Sequence, residues 1–248
     1  AKKERKNMGN VDELKKSGHQ KIEWVSKHMK LLNTIQKSGY SLEGLRVAMS
    51  IHLEAKTAYL AVTLKRLGAD VVITGSNPLS TQDDVAEALK DFGIAVHAKR
   101  TISEEEYFSF LHEVLNYEPD LILDDGADLT VLAHMERKDV LKKLKGVSEE
   151  TTTGVRRLEN LEKSGILRVP AIAVNNAKMK FMFDNRYGTG QSTLDSIMRN
   201  TNLLIAGKNF LVAGYGWCGR GIAMRAHGLG AKVMVTEVDP IKAIEAVM

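Results

Sequence analysis

The stretch Asn209-Phe-Leu-Val-Ala-Gly-Tyr-Gly-Trp-Cys-Gly219 decides the fold of the C-terminal part of the chain. A short apolar run leads into glycines at positions 214, 216 and 219, with the spacing G-x-G-x-x-G, and a helical pattern follows through His227. A second apolar run, residues 232–236, ends at Glu237, which lies 23 residues after the first glycine. A strand, a glycine turn, a helix and a strand that ends at an acidic residue form the dinucleotide-binding pattern of a βαβ unit.

The spacing of these glycines suits a cofactor that contains a pyrophosphate. Glycines let the backbone approach the phosphates closely, and the N-terminus of the following helix stabilises their negative charge. The Glu237 carboxylate stands where it can accept hydrogen bonds from ribose hydroxyls, which favours NAD over NADP. The alternative is a tight strand-to-helix turn without a ligand, and the surrounding elements favour the cofactor.

Upstream of this unit, short apolar runs alternate with longer amphipathic stretches, which predicts a parallel sheet covered by helices on both faces. The predicted strands are 47–51, 71–74, 94–97, 121–123 and 169–174, and the predicted helices between them are 55–67, 82–92 and 104–116. An earlier amphipathic helix carries one apolar stripe, made of Ile22, Val25, Met29, Leu32 and Ile35. The predicted fold class is α/β, with a Rossmann-like parallel-sheet domain followed by an incomplete NAD-binding Rossmann domain.

Polar side chains follow the predicted strands, at the edge of a parallel sheet where ligands bind. His52 follows the first strand, and Asp124 and Asp125 follow the fourth. Two adjacent carboxylates at this edge suit acid/base chemistry, and a simple turn accounts for them equally well. His52 taken alone favours a structural role.

Three other motifs have a structural and a functional interpretation. Ser80-Thr81-Gln82-Asp83 predicts a capping box at a helix start. Lys180 and Asp184 are spaced i,i+4, which indicates an ion pair on a helix surface, although lysine first is the weaker order. The hydroxyl-rich segment 148–154 predicts a loop that hydrogen-bonds a ligand.

The composition excludes several classes of protein. A single cysteine, Cys218, cannot form an internal disulfide framework or a cysteine-built zinc site, and we expect no bound metal. No apolar run approaches the roughly 18 residues of a membrane span, and no apolar signal-peptide core follows the basic N-terminus. We expect a cytoplasmic protein without a membrane partner.

The net charge of +4 does not indicate a nucleic-acid partner. Lys2, Lys3, Arg5 and Lys6, counted with Glu4, supply three of the four surplus positive charges. The remainder of the chain is nearly neutral, so we interpret the basic opening as a solvated terminal tail.

Four long motifs together resemble one enzyme family, S-adenosylhomocysteine hydrolase. They are Leu123-Asp-Asp-Gly-Ala-Asp-Leu-Thr130, Gly146-Val-Ser-Glu-Glu-Thr-Thr-Thr-Gly-Val155, Lys180-Phe-Met-Phe-Asp-Asn-Arg-Tyr-Gly188 and Val212-Ala-Gly-Tyr-Gly-Trp-Cys-Gly-Arg-Gly221, the last followed by Thr236-Glu-Val-Asp-Pro240. The resemblance runs from about residue 45 to residue 248, and independent motifs in this order are far more specific than the glycine pattern alone.

The resemblance implies an enzyme that cleaves the thioether of S-adenosylhomocysteine to adenosine and homocysteine with a tightly held NAD. The ribose 3′-hydroxyl is oxidised, the C4′ proton is removed, homocysteine leaves from C5′, water adds, and the ketone is reduced again. This chemistry needs acid/base groups, a proton donor for the sulfur and a dry pocket. It also implies a homo-oligomer, commonly a tetramer, and a place in one-carbon metabolism.

The resemblance assigns roles to individual residues. It implies catalytic roles for His52, Asp125, Lys180 and Asp184, and a ribose-binding role for Glu150. It implies contacts with NAD for Thr151, Thr152, Thr153, Asn185, Gly214, Gly216, Trp217, Cys218, Gly219, Arg220, Gly221, Glu237 and Lys242. Position 242 is a departure, because the family usually has an asparagine near the adenosine half of the cofactor where this chain has Lys242. Lys242 can instead be a surface lysine without a role in binding.

A second departure concerns the purine. After the histidine most of the family has Met-Thr-x-Glu, whereas this chain has Leu53-Glu54-Ala55-Lys56. A lysine ammonium can only donate a hydrogen bond, which suits a carbonyl oxygen at purine C6, as in S-inosylhomocysteine. Glu54 can instead pair with Lys56 or accept from the adenine amino group, so S-adenosylhomocysteine stays the first choice.

The resemblance also predicts how the chain is organised. Residues 1–187 are expected to form the substrate-binding domain, and residues 188–248 a hinge and the first half of the NAD-binding domain. Because such a domain normally has two halves, and residues 241–248 have no helix stop signal, we expect the chain to be part of a longer enzyme and inactive alone.

Two other classes compete with this hypothesis. An NAD-dependent dehydrogenase with an external substrate shares the glycine loop and Glu237 but leaves the three threonines and residues 180–185 unexplained. A non-catalytic relative that acts as an interaction protein is disfavoured by the presence of His52, Asp125 and Lys180.

Overall fold

A parallel six-stranded sheet forms the centre of the first of two compact units, which ends at Ala173. The structure is a computed structural model that describes the backbone of residues 2–248 and the side chains of residues 11–248. The strands are β1 (Arg46–Ile51), β2 (Asp70–Gly75), β3 (Ala95–Val96), β4 (Leu121–Asp124), β5 (Gly146–Glu149) and β6 (Ala171–Ala173). Their order is β3-β2-β1-β4-β5-β6, so the direction of winding reverses between β1 and β4. Such a reversal opens a crevice at the carboxyl ends of the two strands.

Helices connect the strands and cover the sheet. They are α1 (Lys2–Ser26), α2 (Lys30–Ile35), α3 (Ala55–Arg66), α4 (Asp83–Lys90), α5 (Glu104–Leu115), α6 (Asp128–Glu136), α7 (Lys138–Leu141) and α8 (Thr152–Lys163). Val47 and Met49 of β1 belong to one buried apolar cluster, and Ala48 between them belongs to a second cluster. Because successive strand residues point to opposite faces, both faces of the sheet are buried. The predicted α/β class with a parallel sheet is confirmed.

The strand β5 is missing from the predicted strands. Its four residues include one large apolar side chain, Val147, and a run of polar residues follows it, so its sequence lacks the apolar signal of a buried strand. The prediction that the hydroxyl-rich segment 148–154 is a loop is therefore wrong. Residues 148–149 end β5, and residues 152–154 begin α8.

The single helix predicted over residues 22–35 is wrong in part. α1 ends at Ser26 and α2 begins at Lys30, and the Asn33 side chain donates a hydrogen bond of 2.8 Å to the Ser26 carbonyl, which has lost its helical partner. Ile22 and Val25 are buried, whereas Ile35 is exposed. The charged side chains of residues 2–6, which we interpret as a tail, lie outside the described residues.

The capping box predicted at Ser80 is also wrong. Ser80 Oγ donates to the Asn77 carbonyl, and the N-cap of α4 is Gln82, which makes no side-chain cap. A capping box is present at α5 instead, where Ser103 and Glu106 each accept from the other's backbone amide. Asp83 accepts from the Arg100 backbone amide, and the Ser80 amide donates to the Asn77 carbonyl, so these groups bond to partners outside the predicted box.

The second compact unit, Val174–Met248, contains a βαβ unit preceded by helices. It consists of a 3-10 turn (Val174–Asn176), α9 (Lys178–Lys180), a π-helix (Phe181–Gly188), α10 (Thr189–Thr201), β7 (Asn209–Ala213), α11 (Trp217–Gly228), β8 (Lys232–Thr236) and α12 (Pro240–Val247). β7 and β8 pair in parallel over five residues, as the glycine motif predicts. Among the helices of the described residues, none combines the length and the apolar composition of a membrane span.

Packing against the sheet should dominate the stability of the first unit. Leu111 of α5 is fully buried, so Leu111→Ala is expected to lower the free energy of unfolding by about 2–5 kcal/mol. Leu31→Ala on α2, where the side chain is 82% exposed, is the matched control and should change it by less than about 0.5 kcal/mol. Urea denaturation of the chain measures both, and equal effects would contradict the assignment of the core.

Candidate active site

The polar residues that follow β1, β4 and β5 lie at one edge of the first sheet. Ser50 of β1 is in register with Asp124 of β4, which in turn is in register with Glu149 of β5. The Asp125 amide donates to the Ser50 carbonyl, and the Glu150 amide donates to the Asp124 carbonyl, each at 2.9 Å. Backbone hydrogen bonds therefore continue one residue beyond the strands and fix where these side chains begin.

His52 and Asp125 come together at this edge. His52 Nε2 lies 3.4 Å from Asp125 Oδ2, and its Nδ1 lies 2.5 Å from Ser80 Oγ. Ser76, which follows β2, donates a hydrogen bond of 3.1 Å to the same carboxylate oxygen. An imidazole oriented by a hydroxyl and adjacent to a carboxylate can pass a proton, so the arrangement suits acid/base chemistry. Ser80 was predicted to cap a helix, and no role was predicted for Ser76.

The two adjacent aspartates have different environments. Asp124 is buried, and its Oδ2 accepts from the backbone amide and the hydroxyl of Thr130, each at 2.7 Å. Burial raises the pKa of Asp124 to about 6 despite these hydrogen bonds. Asp124 therefore organises the turn, whereas Asp125 presents its carboxylate to His52. The turn interpretation thus describes Asp124, and the acid/base interpretation of Asp125 stays a prediction.

Glu54 and Lys56 begin helix α3 directly after His52. Glu54 is the N-cap, and its Oε1 accepts from the backbone amides of Lys56 and Thr57 at 3.1 and 3.3 Å. The Lys56 ammonium lies 3.9 Å from the same oxygen, and its side chain is 67% exposed. The Glu54 carboxylate therefore has a structural task, while the lysine amine extends into solvent.

The second unit contains a cluster of amide groups around Lys180. Lys180 Nζ donates to Asn185 Oδ1 at 2.8 Å and to Asn175 Oδ1 at 3.2 Å, and Asn185 Nδ2 donates to Asn175 Oδ1. Asp184 Oδ2 lies 3.4 Å from the ammonium and is mostly exposed. The predicted surface ion pair is thus partly buried at its lysine end, and the π-helix brings residues five apart onto one face.

The glycine loop has the geometry of a phosphate-binding turn. Gly214 adopts the left-handed conformation (φ +95°), and a Cβ on Gly219 would overlap the Gly214 carbonyl oxygen. A Cβ on Gly216, the N-cap of α11, would meet no atom within 4 Å. Gly214 and Gly219 are thus needed for the turn itself, and Gly216 leaves open space in front of the helix N-terminus. A pyrophosphate fits this space.

Glu237 holds the end of β8 against this loop. Its Oε2 accepts from the Tyr215 amide at 2.6 Å, and its Oε1 accepts from the amides of Val238 and Asp239. Hydrogen bonds from Asp239, Tyr215 and Val238 lower the pKa of Glu237, so the group is an anion at neutral pH. A carboxylate in this place can accept further hydrogen bonds from ribose hydroxyls, and the donor set fits NAD.

Two comparisons with known proteins bear on the family. The family model for S-adenosyl-L-homocysteine hydrolase matches residues 10–143, and the model for the NAD-binding domain of S-adenosyl-L-homocysteine hydrolase matches residues 185–248. This chain belongs to the S-adenosyl-L-homocysteine hydrolase family. Residues 185–248 accordingly form part of an NAD-binding domain.

Similar relatives of the chain carry two names. It is 69% identical to adenosylhomocysteinase of Thermotoga maritima, over 94% of this chain and 58% of the relative. It is 58% identical to adenosylhomocysteinase of Archaeoglobus fulgidus (93% and 58%) and 55% identical to S-inosyl-L-homocysteine hydrolase of Methanocaldococcus jannaschii (94% and 57%). The chain therefore spans less than two thirds of the length of these members of the S-adenosyl-L-homocysteine hydrolase family.

Other residues of the predicted NAD site make contacts of their own. The Arg220 guanidinium lies 4.8 Å above the Trp217 ring and pairs with Glu245 of α12, and Cys218 is exposed. A Cβ on Gly221 would overlap the Arg186 carbonyl oxygen, so this glycine permits helix packing. Lys242 lies 3.1 Å from Asp239, an ion pair on the surface of α12.

Gly219→Ala is expected to lower the melting temperature of the second unit, because the new methyl group overlaps backbone that cannot move without opening the turn. Gly228→Ala, at the other end of α11, is the matched control: a Cβ there meets no atom within 4 Å, so the helix should be unchanged or stabilised by up to about 1 kcal/mol. Thermal unfolding of both variants in a Trp24→Phe background, where the fluorescence comes from Trp217 alone, compares the two. A stable G219A protein would contradict the tight turn.

Proposed function

We propose that the protein to which this chain belongs hydrolyses the thioether of S-adenosyl-L-homocysteine to adenosine and L-homocysteine. The observation that carries the proposal is the pairing of His52 with Asp125 at a sheet edge, in a chain that also carries Lys180 within a cluster of amide groups. Family membership adds support. An NAD-dependent dehydrogenase would use the glycine loop and Glu237 but leaves the three threonines and residues 180–185 unexplained.

NAD is proposed as the resident cofactor, and when bound it supplies reversible hydride transfer at the ribose 3′ carbon. The residues proposed to hold it are the glycine loop, Glu237, Thr151–Thr153 and Asn185. The open space at Gly216 suits the pyrophosphate of either dinucleotide, and the anionic carboxylate of Glu237 supports NAD over NADP because it would repel a 2′-phosphate.

Lys180 and Asp184 are proposed to bind the ribose hydroxyls. In its neutral form the Lys180 amine donates its two N–H groups to the two asparagine oxygens, which leaves its lone pair to take the 3′-hydroxyl proton. Asp184 lies on the next helical turn, where its exposed carboxylate can accept from a neighbouring hydroxyl.

Asp125 and His52 are proposed as the acid/base pair for elimination. The Asp125 carboxylate takes the C4′ proton, and the imidazole, held by Ser80, gives a proton to the departing sulfur. The same two groups reverse these roles when water adds. Glu150, which follows β5, binds the ribose.

The wider organisation belongs to the same proposal. Residues 1–187 serve as the substrate-binding domain and residues 188–248 as the hinge and first half of the NAD-binding domain. The complete protein works in the cytoplasm, in one-carbon metabolism, as a homotetramer.

A second candidate substrate is S-inosyl-L-homocysteine. Glu54 already caps α3 with two backbone hydrogen bonds, which reduces its capacity to accept from an adenine amino group. The exposed Lys56 ammonium can donate to the C6 carbonyl of a hypoxanthine ring. A relative with 55% identity is named S-inosyl-L-homocysteine hydrolase.

Lys180→Ala and Asp125→Asn, made in a full-length protein that carries this sequence, should each lower kcat by about 10²–10⁴, because each removes an acid/base group. Lys178→Ala, an exposed lysine on the same short helix as Lys180, is the control and should leave kcat unchanged. Release of homocysteine, measured with a thiol reagent, gives the rates. Near-normal turnover of K180A or D125N would refute the assigned roles.

The ratio of kcat/KM for the adenosine and inosine thioethers tests the substrate. We expect S-adenosylhomocysteine to be preferred; a clear preference for the inosine compound would make the second candidate correct. In that case Lys56→Ala should lower kcat/KM for the inosine compound by roughly 10-fold or more, the value of a hydrogen bond from a charged donor. Lys65→Ala, at the other end of α3, should leave the ratio unchanged.

A further inference from the structure

Glu149, the last residue of β5, is a buried carboxyl group to which the proposed mechanism gives no task. It is fully buried, and among the described glutamates it is the one in the interior. Its Oε1 accepts hydrogen bonds from the backbone amides of Gly126 and Thr151, both at 2.9 Å. Its Oε2 is buried and has no hydrogen-bond partner among the described residues. A buried oxygen of this kind is costly and requires an explanation.

The two amides that Glu149 holds belong to the two turns that carry substrate-site residues. Gly126 follows Asp125 and adopts a left-handed conformation (φ +101°), and Thr151 follows Glu150. One carboxyl oxygen thus connects the turn after β4 with the turn after β5. This connection lies one residue from each of the two proposed substrate-binding carboxylates.

Helix α8 is shaped to admit this carboxyl group. A Cβ on Gly154, in the first turn of α8, would lie 2.5 Å or less from all three heavy atoms of the Glu149 carboxyl group. A side chain at position 154 and a glutamate at 149 are therefore incompatible without movement of the helix or the turn. The Glu149 carboxyl group therefore packs against the backbone of Gly154.

We infer that Glu149 is a positioning residue of the substrate site, which sets the distance between Asp125 and Glu150 by holding the Gly126 and Thr151 amides with one carboxyl oxygen. The inference rests on the proposed function, because that function assigns Asp125 and Glu150 to the substrate site. The geometry of the two hydrogen bonds and of Gly154 stands independently of it.

The charges around Glu149 favour its neutral form. Burial, followed by repulsion from Asp124 and Asp125, raises the pKa of Glu149 to about 7, although the hydrogen bonds from Gly126 and Thr151 act in the opposite direction. On the neighbouring helices, Asp128 of α6 and Arg157 of α8 pair with each other at 2.5 Å. The proton then resides on Oε2, and Oε1 remains the acceptor that the two amides require. A neutral acid avoids the cost of an unpaired buried anion.

Infrared titration of the chain with ¹³C-labelled glutamate tests the proton directly, because the label separates Glu149 from the aspartates. We expect a protonated glutamate carbonyl band that disappears with a midpoint near pH 7. It should be absent from Glu149→Gln and retained in Glu159→Gln, an exposed glutamate on α8. If the wild-type chain shows no glutamate proton above about pH 5.5, close to the ordinary range of the group, the assignment of a proton to Oε2 is wrong, and the positioning role is decided by the turnover of the variants.

Unfolding gives a second measurement on the same chain. A carboxyl group with a raised folded pKa binds its proton more tightly in the folded state, so stability is lost as pH rises from about 4.5 to about 7. The wild-type unfolding equilibrium constant, relative to that of E149Q, should therefore increase about tenfold or more between pH 5 and pH 8. E159Q should follow the wild type, and a ratio for E149Q that does not change with pH would count against the inference.

Turnover in the full-length protein tests the positioning role. Glu149→Ala leaves two buried amides without an acceptor and should lower kcat at least tenfold, and E149Q, which keeps an oxygen acceptor, should restore most of it. The pH profile of E149Q should lack a near-neutral ionisation that the wild type and E159Q show. Identical profiles and no loss in E149A would overturn the inference alone. A wild-type protein that cleaves neither thioether would overturn the proposed function and leave the infrared result standing.

Discussion

The register of parallel strands β1, β4 and β5 is the constraint on which the first unit depends. Hydrogen bonds continue one residue past the strand ends, from the amides of Asp125 and Glu150 to the carbonyls of neighbouring strands. The strand order reverses between β1 and β4, so the connections that leave these two strands run in opposite directions. A crevice opens at their carboxyl ends, and side chains can meet there. His52 and Asp125 approach each other because their strands are neighbours, although they are far apart in sequence.

In each of the two units, a glutamate carboxyl group at a strand end accepts a hydrogen bond from the backbone of a neighbouring turn. Glu237 directly follows β8 and accepts from the Tyr215 amide of the preceding glycine turn, and Glu149 ends β5 and accepts from the Gly126 amide of the preceding turn. Each lies at the end of one strand and holds the turn that follows its neighbour. Glu237 is solvated and ionised, whereas Glu149 is enclosed by α8, so the same contact has opposite consequences for charge.

The sequence predicts the parts of this structure that have strong local signals. β1, β2, β4 and the βαβ unit around Gly214 carry apolar runs or a glycine spacing, and the structure agrees. β5 escapes prediction because pairing with strands on both sides, and not its own apolar content, makes it a strand. Ser80 has the spacing of a helix cap, but a tertiary contact with His52 determines its conformation. Such contacts cannot be read from local sequence, and neither can the burial of Glu149.

The π-helix at Phe181–Gly188 has a consequence for how this region tolerates change in length. A π-turn contains one residue more than the α-helical turn that could replace it, so removal of a single residue would leave a continuous and ordinary helix. If the removed residue lies after Asn185, Lys180 and Asn185 stay five residues apart, which an ordinary α-helix places on different sides, and the amine is separated from its amide oxygen. Such a deletion would preserve a helix and still break the hydrogen bond that orients the Lys180 amine, so the length of this segment matters for the proposed role of Lys180.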